Sequence, residues 1–262
     1  MGAWNHRAYG TLADPVRQSD LNELASSYSC PKRFAFKKEE RFSGVEIQRK
    51  RAWGASCVGT GVHETIKLYA DPLGKGCARI LAGELPSEAA VSVVVTEQID
   101  KAAEGLPIEW KVSPATAITE AVRMVLGALR GLAERAAEVV LIEAPFLVEI
   151  EAGASGKAPY YLTGTIDLVY RPKDDPSALV LADWKTGQQR PSEIVLDHGY
   201  QLGIYAHALA CGVFFAGTEH EIRLNQFPRE MRIVHLRDFV PYAKAGSKTP
   251  THRDELAHYR CT

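Results

Sequence analysis

The chain has 262 residues, of which 46% are hydrophobic and 24% are charged, and its formal net charge at pH 7 is −1. This length suits one sizeable domain or two small ones, with enough apolar side chains for a buried core. The near-zero charge excludes a global attraction to polyanions, so nucleic acid would have to bind a local basic patch. No stretch resembles a signal peptide or a membrane-spanning helix, and no CxxC pair occurs, so we expect a reduced, cytoplasmic protein.

One local basic patch lies near the N-terminus. Its members are Lys32, Arg33, Lys37, Lys38, Arg41, Arg49, Lys50 and Arg51. Such a run is most often a solvated charged surface. The alternative is a path for a phosphate backbone, with Lys37, Lys38, Arg49 and Arg51 as the candidate DNA-binding residues.

Helical patterns dominate the first half of the sequence. A first helix is predicted from Ser19, as its N-cap, to about Cys30. The glycines at positions 59 and 61 predict the opening of a second helix, with His63 in its first turn. Residues 87–104 favour a helix, although a β-branched run leaves a strand as the alternative. Apolar residues at helical spacing predict a long helix from Pro114 to Val139.

Strand patterns follow in the second half. Segments rich in β-branched residues and separated by turn-forming residues predict strands at Val140–Ile150, Tyr160–Arg171 and Ala178–Thr186, arranged as an antiparallel meander. A further helix is predicted over Ser192–Cys211 and a last strand over Met231–Leu236.

Acidic residues interrupt two of these predicted strands. Asp167 lies in the middle of one strand, and Asp183 shares a face of the next with Lys185, two residues later. Each acid alone is more often an exposed or edge residue. Adjacent antiparallel strands could instead bring both carboxylates to one ion, and their repulsion at partly buried positions would then be neutralised by a divalent cation and Lys185. Hard oxygen ligands suit Mg²⁺ or Mn²⁺.

The order of these motifs resembles a known family. Gly164-Thr-Ile-Asp167 is followed by Asp183-Trp-Lys185-Thr-Gly187 and then by Gln201 and Tyr205 at QxxxY spacing on a helix. This order resembles the RecB-like branch of the PD-(D/E)XK nuclease superfamily, which includes the nuclease domains of RecB and AddAB and CRISPR-associated RecB-like exonucleases. The resemblance implies an α/β fold with a restriction-endonuclease-like core, in which helices flank a small mixed β-sheet.

The resemblance also assigns roles to individual residues. Asp167 and Asp183 match the two metal-binding acids, and Lys185 matches the catalytic lysine that orients the attacking water. Gln201 and Tyr205 match the QxxxY motif, which the family places near the site and the DNA.

Two more residues are candidates by resemblance. Gly61-Val-His63 is similar to the family's helix-borne histidine ligand, which would shift the metal preference modestly toward Mn²⁺. A structural histidine is the alternative for His63. Glu143 matches a recurrent family glutamate and is a further candidate site residue.

An iron–sulfur cluster is present in several of the resembled proteins. It is held there by the cysteine of a Cys-Pro-x-x-Phe signature, similar to Cys30-Pro31 and Phe34 here, and by three cysteines near the C-terminus. This chain offers only Cys261 in that region. We therefore expect no iron–sulfur cluster.

The resemblance divides the chain into an N-terminal extension (1–18), a nuclease domain (19–240) and a polar C-terminal tail (241–262). It implies a Mg²⁺- or Mn²⁺-dependent deoxyribonuclease, with an exonuclease acting on single-stranded DNA or duplex ends as the favoured subtype. Repair, recombination and CRISPR- or phage-related DNA processing are the expected settings, with protein partners in such a complex. A catalytically silent DNA-binding scaffold and an endonuclease of a defence system are the alternatives.

Overall fold

The computed structural model of the protein describes residues 10–25, 50–150, 159–187, 191–240 and 258–260. The helices in these ranges are α1 (Gln18–Ala25), α2 (Gly54–Ala70), α3 (Lys75–Leu81), α4 (Glu88–Ala102), α5 (Pro114–Arg135) and α6 (Pro191–Cys211). The strands are β1 (Val16–Arg17), β2 (Ala52–Trp53), β3 (Ile108–Glu109), β4 (Ala136–Ile150), β5 (Tyr160–Pro172), β6 (Val180–Lys185), β7 (Val213–Phe214), β8 (Glu230–His235) and β9 (His258–Arg260). A 3-10 turn covers Leu236–Phe239.

The chain is divided into two compact units. The first contains Met1–Gln48, Ala144–Ile166 and Ile194–Phe227. The second contains Arg49–Glu143, Asp167–Glu193 and Pro228–Thr262. Strands β4 and β5 each contribute residues to both units.

An aromatic cluster fills the core of the first unit. β1 pairs in parallel with β5, and β7 pairs antiparallel with β4, where Phe214 lies opposite Phe146. The Phe146 ring meets the rings of Tyr205 and Phe214 edge-on, with centroid separations of 5.9 and 6.4 Å. A Cβ atom at Gly164 would lie 2.8 Å from the Phe146 ring, so only glycine fits this close contact.

A mixed sheet forms the centre of the second unit. β5 and β6 are antiparallel, β6 and β8 are parallel along all of β6, and β8 and β9 are antiparallel. Every residue of β6 before Lys185 is buried, as expected for a central strand covered on both faces. Its core joins helices and strands through buried residues that include Val62, Ile66, Val95, Ile99, Val125, Leu129, Leu168, Val180 and Ala182. The predicted α/β class, with a small mixed sheet flanked by helices, is confirmed.

The segment at residues 87–104 forms the helix α4 and not a strand. Ser87 caps its first turn by accepting a hydrogen bond from the N–H of Ala90. Val91, Val95 and Ile99 are buried at helical spacing, which explains how a β-branched run is accommodated in a helix. Packing of these buried residues against the core therefore favours the helix over the strand, both of which the sequence allowed.

The long helix predicted over Pro114–Val139 is wrong at its C-terminal end. Its start is confirmed, since Pro114 occupies the first turn after the cap Ser113. The helix ends at Arg135, and Ala136 is already extended as the first residue of β4. Ala136 and its neighbours favour helices by intrinsic propensity, but incorporation in the sheet overrides this weak preference.

Two predicted helix starts are also wrong. α2 begins at Gly54, so His63 lies in its third turn and not in its first. Gly61 is a packing position within the helix, because a Cβ there would lie 2.6 Å from Ile99 Cγ1. α1 begins at Gln18, one residue before the predicted cap, and the carboxylate of Asp20 accepts the N–H of Arg17.

Short elements were not predicted. β1, β2, β3, β7 and β9 have two or three residues each, too few for periodicity to show. Helix α3 was likewise not anticipated, and β9 lies in the tail for which no structure was predicted. In the described ranges, no helix combines the length and the apolar composition that crossing a membrane requires.

Candidate metal centre

Residues with metal-binding chemistry meet in the second unit. α2 supplies His63, β4 supplies Glu143 and β5 supplies Asp167. One ligand atom from each of these residues lies within 4.8 Å of the others. The structure thus brings Glu143, a further candidate in the sequence, together with two of the three predicted ligands.

The distances within this group fit one divalent ion. His63 Nδ1 lies 2.7 Å from Glu143 Oε1 and 3.9 Å from Asp167 Oδ1. Ligands about 2.1 Å from an octahedral ion are separated by about 3 to 4 Å, so small movements would seat all three. One imidazole nitrogen and two carboxylates suit Mn²⁺ well and Mg²⁺ adequately.

Asp167 is fixed in place from the neighbouring strand. Its Oδ2 accepts a 2.7 Å hydrogen bond from the backbone N–H of Trp184, while its Oδ1 is the oxygen nearer His63. The register pairs Leu168 with Ala182, and continued by one residue it sets Asp167 opposite Asp183. The predicted antiparallel pairing of these two strands is therefore confirmed.

Glu143 is placed by an irregularity in β4. Its φ of +42° lies in the left-handed region, which costs a residue with a side chain about 1–3 kcal/mol. The alternation of buried and exposed residues along β4 shifts by one residue at this point. Val139 and Leu141 are buried before the shift, whereas Ile142 and Ala144 are buried after it. We infer that this break in the strand turns the Glu143 carboxylate toward His63.

The environment of His63 favours its protonated form. Burial alone lowers the pKa of the imidazole, but the hydrogen bond to Glu143 and the charges of Asp167, Glu143 and Asp183 outweigh it and raise the pKa to about 9. The Trp184 ring meets the imidazole edge-on, with centroids 5.8 Å apart and an interplanar angle of 86°. The surroundings of His63 therefore favour a positive charge at this position.

The environment of Asp167 also favours its protonated form. Burial raises the pKa of its carboxyl group to about 6, with a further contribution from the charge of Glu143. The charge of His63, the hydrogen bond from Trp184 and the charge of Lys185 act in the opposite direction. Burial removes the hydration of this carboxylate, so a cation bound beside it would be favourable.

Asp183 and Lys185 form an ion pair beside this group. Lys185 Nζ lies 2.7 Å from Asp183 Oδ2, and the Asp183 side chain is 1% exposed whereas that of Lys185 is 20% exposed. The predicted ligand Asp183 is not part of the group of His63, Glu143 and Asp167. The strand register nevertheless sets Asp183 opposite Asp167, and its charge contributes to the raised pKa of His63.

The predicted QxxxY residues lie in the first unit. The amide Nε2 of Gln201 donates a 2.7 Å hydrogen bond to the Tyr205 hydroxyl, one helical turn away on α6. Both side chains are buried. Their predicted position on one helix face is therefore what the structure shows.

Other sequence-based assignments fall outside the described residues. Among the candidate DNA-binding residues, Lys37, Lys38 and Arg49 lie outside them, and Arg51 is described and exposed. Cys30 and Cys261, on which the expectation about the iron–sulfur cluster rests, also lie outside.

Trp184 is a site residue that sequence reasoning missed. Its backbone contacts Asp167 and its ring contacts His63, although both neighbours are distant in sequence. The position between Asp183 and Lys185 was the one signal in the sequence that could have indicated it.

The chain is similar to known proteins at the family level. It matches the family model of the PD-(D/E)XK nuclease superfamily over residues 20–260. Among solved structures, that of SSO0001 is similar over 87% of this chain and 75% of its own, with 16% identity and a TM-score of 0.29. No curated protein matches the chain. Because the family model covers most of its length, the chain belongs to the PD-(D/E)XK nuclease superfamily.

Proposed function

We propose that the chain is a Mg²⁺- or Mn²⁺-dependent deoxyribonuclease with one metal centre built on His63, Glu143 and Asp167. The observation that carries this proposal is the convergence of these three ligands beside the Asp183–Lys185 ion pair. Family membership supports the reaction class, and the raised pKa values of His63 and Asp167 support a cation at this position.

The bound ion would polarise a phosphate oxygen and lower the pKa of the attacking water. Lys185 is the residue proposed to act on the substrate. Its side chain is one-fifth exposed, so its ammonium group can meet a phosphate or a water while Asp183 holds it in place. A positive charge there stabilises the negative charge that develops on the phosphoryl oxygens.

Asp183 is proposed as the second acid of the centre. It is nearly fully buried, and its charge acts on both His63 and Lys185. A carboxylate in this position strengthens the attraction for a divalent ion and fixes the direction of the lysine.

The role proposed for Gln201 and Tyr205 rests on the RecB-like pattern. The two buried side chains are joined by a hydrogen bond on one face of α6, so they act as one unit. We propose that this pair contributes to catalysis by positioning the DNA.

An exonuclease of the RecB-like branch, acting on single-stranded DNA or duplex ends in repair, recombination or CRISPR- or phage-related processing, is the subtype we favour. The order of motifs in this chain, which resembles that branch, supports this subtype. A silent DNA-binding scaffold is disfavoured, because Asp167, Asp183 and Lys185 are all present and a silent relative has no reason to keep all three.

The test uses end-labelled single-stranded and duplex DNA beside a closed circular plasmid. Each substrate is incubated with Mg²⁺, Mn²⁺ or EDTA, and Asp167→Asn, purified identically, controls for contaminating nucleases. The proposal expects metal-dependent loss of the linear substrates, an intact circle and no activity of the variant. A cut circle would indicate an endonuclease, and intact linear DNA with both ions would support the scaffold.

A further inference from the structure

The two residues that follow Lys185 are held by side chains from β8 and the adjoining 3-10 turn. His235 Nε2 donates a 2.6 Å hydrogen bond to the carbonyl oxygen of Gly187, and Arg237 Nε donates one of 2.8 Å to that of Thr186. β6 and its backbone pairing with β8 end at Lys185, so these side-chain hydrogen bonds hold the residues that directly follow the strand. We call His235 and Arg237 the clamp.

The clamp residues are themselves held rigidly. His235 lies opposite Lys185 in the parallel register and is 5% exposed, and its Nδ1 lies 3.2 Å from Asp238 Oδ1. Arg237 Nη1 donates a 2.9 Å hydrogen bond to Glu120 on α5. Each clamp residue therefore connects the segment after Lys185 to a fixed part of the second unit.

A third contact comes from the helix that carries His63. A Cβ at Gly59 would lie 3.1 Å from Thr186 Oγ1, so glycine permits this close approach of Thr186 to α2. Gly59 precedes His63 by one helical turn. The segment after the lysine is thus positioned relative to the histidine of the metal group.

Thr186 and Gly187 form a segment that burial alone does not fix. Thr186 is half-buried, Gly187 is exposed, and a glycine adopts a wide range of backbone angles. Fixing both carbonyl groups removes this freedom and determines the backbone from which the flexible Lys185 side chain extends. A displacement of about 1 Å of a reacting group can cost on the order of a hundredfold in rate.

We propose that His235 and Arg237 are positioning residues that hold Lys185 in its reactive place. This inference rests on the proposed function. It assigns the clamp to catalysis and not to metal binding, because neither residue belongs to the group that could hold the ion.

The decisive comparison is between His235→Gln and His235→Asn. Glutamine can place an amide donor near the position of Nε2, whereas asparagine reaches only to the position of Nδ1. We expect His235→Gln to retain kcat within about twofold and His235→Asn to lose about tenfold or more. KM for DNA and the Mn²⁺-induced rise in melting temperature should remain as in the wild type for both.

Arg237→Lys tests the other half of the clamp, with a matched control on β8. Lysine keeps the charge but cannot donate to Thr186 and Glu120 in the fork geometry of arginine, so kcat should fall several-fold. Arg232 pairs with Glu230 through contacts of 2.7 and 2.8 Å. Arg232→Lys disturbs a comparable pair and should lower the melting temperature without lowering kcat.

The outcomes separate this inference from the proposed function. Wild-type kcat in both His235→Asn and Arg237→Lys would overturn the inference while leaving the nuclease proposal intact. An equal loss in His235→Gln and His235→Asn would also overturn it, because the donor at Nε2 would then not matter. A wild-type chain that cuts no DNA with either ion would remove both proposals together.

Discussion

The backbone N–H of Trp184 donates a 2.7 Å hydrogen bond to the carboxylate of Asp167. The indole ring of the same residue meets the His63 imidazole edge-on at 5.8 Å. One residue, between the acid and the lysine of the family motif, therefore orients two of the three ligands in the proposed centre. Outer contacts of this kind typically affect metal affinity by about 10- to 100-fold.

The first prediction concerns the Trp184 ring. Trp184→Leu keeps the backbone hydrogen bond to Asp167 but removes the aromatic edge against His63, so Mn²⁺ affinity should fall by about tenfold. Trp184→Phe retains a ring and should lose less. Calorimetric titration with Mn²⁺ measures both, after circular dichroism has shown that the variants are folded. Equal affinity in the leucine variant and the wild type would contradict a positioning role for the ring.

The second prediction separates the two acids. Asp167→Asn should abolish cleavage and the Mn²⁺-induced rise in melting temperature, because it removes a member of the ligand group. Asp183→Asn should also abolish cleavage but keep part of that rise, since Asp183 acts mainly through its charge and through Lys185. Thermal unfolding with and without Mn²⁺ tests this difference. If both variants respond to Mn²⁺ like the wild type, the ion binds elsewhere.

The third prediction concerns Lys185. Lys185→Ala should stop cleavage while leaving Mn²⁺ affinity equal or higher, because a competing positive charge is removed. It also removes the ammonium 2.7 Å from the buried Asp183 carboxylate, so the metal-free variant should lose about 1–3 kcal/mol of stability. Chemical unfolding with and without Mn²⁺ should show that the ion restores part of the loss. Cleavage at the wild-type rate would exclude Lys185 from the chemistry.

The fourth prediction is a pH dependence of metal binding. The pKa of His63 is raised to about 9, so its stabilising contribution to the metal-free protein is complete below about pH 6.5 and is lost as the pH rises through 9. A metal ion needs the deprotonated nitrogen and must displace this proton. Mn²⁺ affinity should therefore rise about tenfold per pH unit between pH 6.5 and 8.

The slope should be steeper below pH 6, where the ion must also displace the proton of Asp167, whose pKa is raised to about 6. His63→Gln is the control, because it removes the competing proton and should flatten the dependence between pH 6.5 and 8. A wild-type affinity independent of pH would show that the ion does not bind at His63.

The fifth prediction concerns the helix that carries His63. Gly61→Ala would place a Cβ 2.6 Å from Ile99 Cγ1 and 3.0 Å from Ile99 N, so α2 and α4 must separate, at a cost of about 1–3 kcal/mol. Gly131 on α5 is the matched control, because nothing lies within 4 Å of its added Cβ. Gly131→Ala should stabilise the protein by roughly 0.5–1 kcal/mol. Denaturant unfolding measures the change in the free energy of unfolding for each variant, and the two changes should have opposite signs.

The sequence predicted those parts of the fold that depend on local pattern. Strands β5 and β6 were anticipated because runs rich in β-branched and apolar residues are bounded by turn-forming residues. The end of α5 was not, because residues after Arg135 have helical propensity and enter the sheet through distant contacts.

The same division applies to the site. Asp167, Asp183 and Lys185 stand in short motifs and could be found from sequence. The left-handed backbone of Glu143 and the hydrogen bond of His235 to Gly187, 48 residues away, arise only in the folded chain. No local pattern encodes such contacts.

The turn that joins β5 to β6 has a consequence for the spacing of the acids along the chain. Asp167 and Asp183 face each other because the strands pair in register from Leu168 with Ala182 onward. The connecting residues Asp174 and Ser177 are exposed and lie outside that register. Doubling a flexible connection costs about 0.6 kcal/mol, whereas slipping a strand by one residue moves its side chains to the opposite face. Insertions at this turn should therefore be tolerated, and single deletions within β6 should not. The number of residues between Asp167 and Asp183 reflects the length of this turn, and the site does not constrain that length. A sequence pattern with a fixed number of residues between the two acids would therefore miss relatives with a longer or shorter turn.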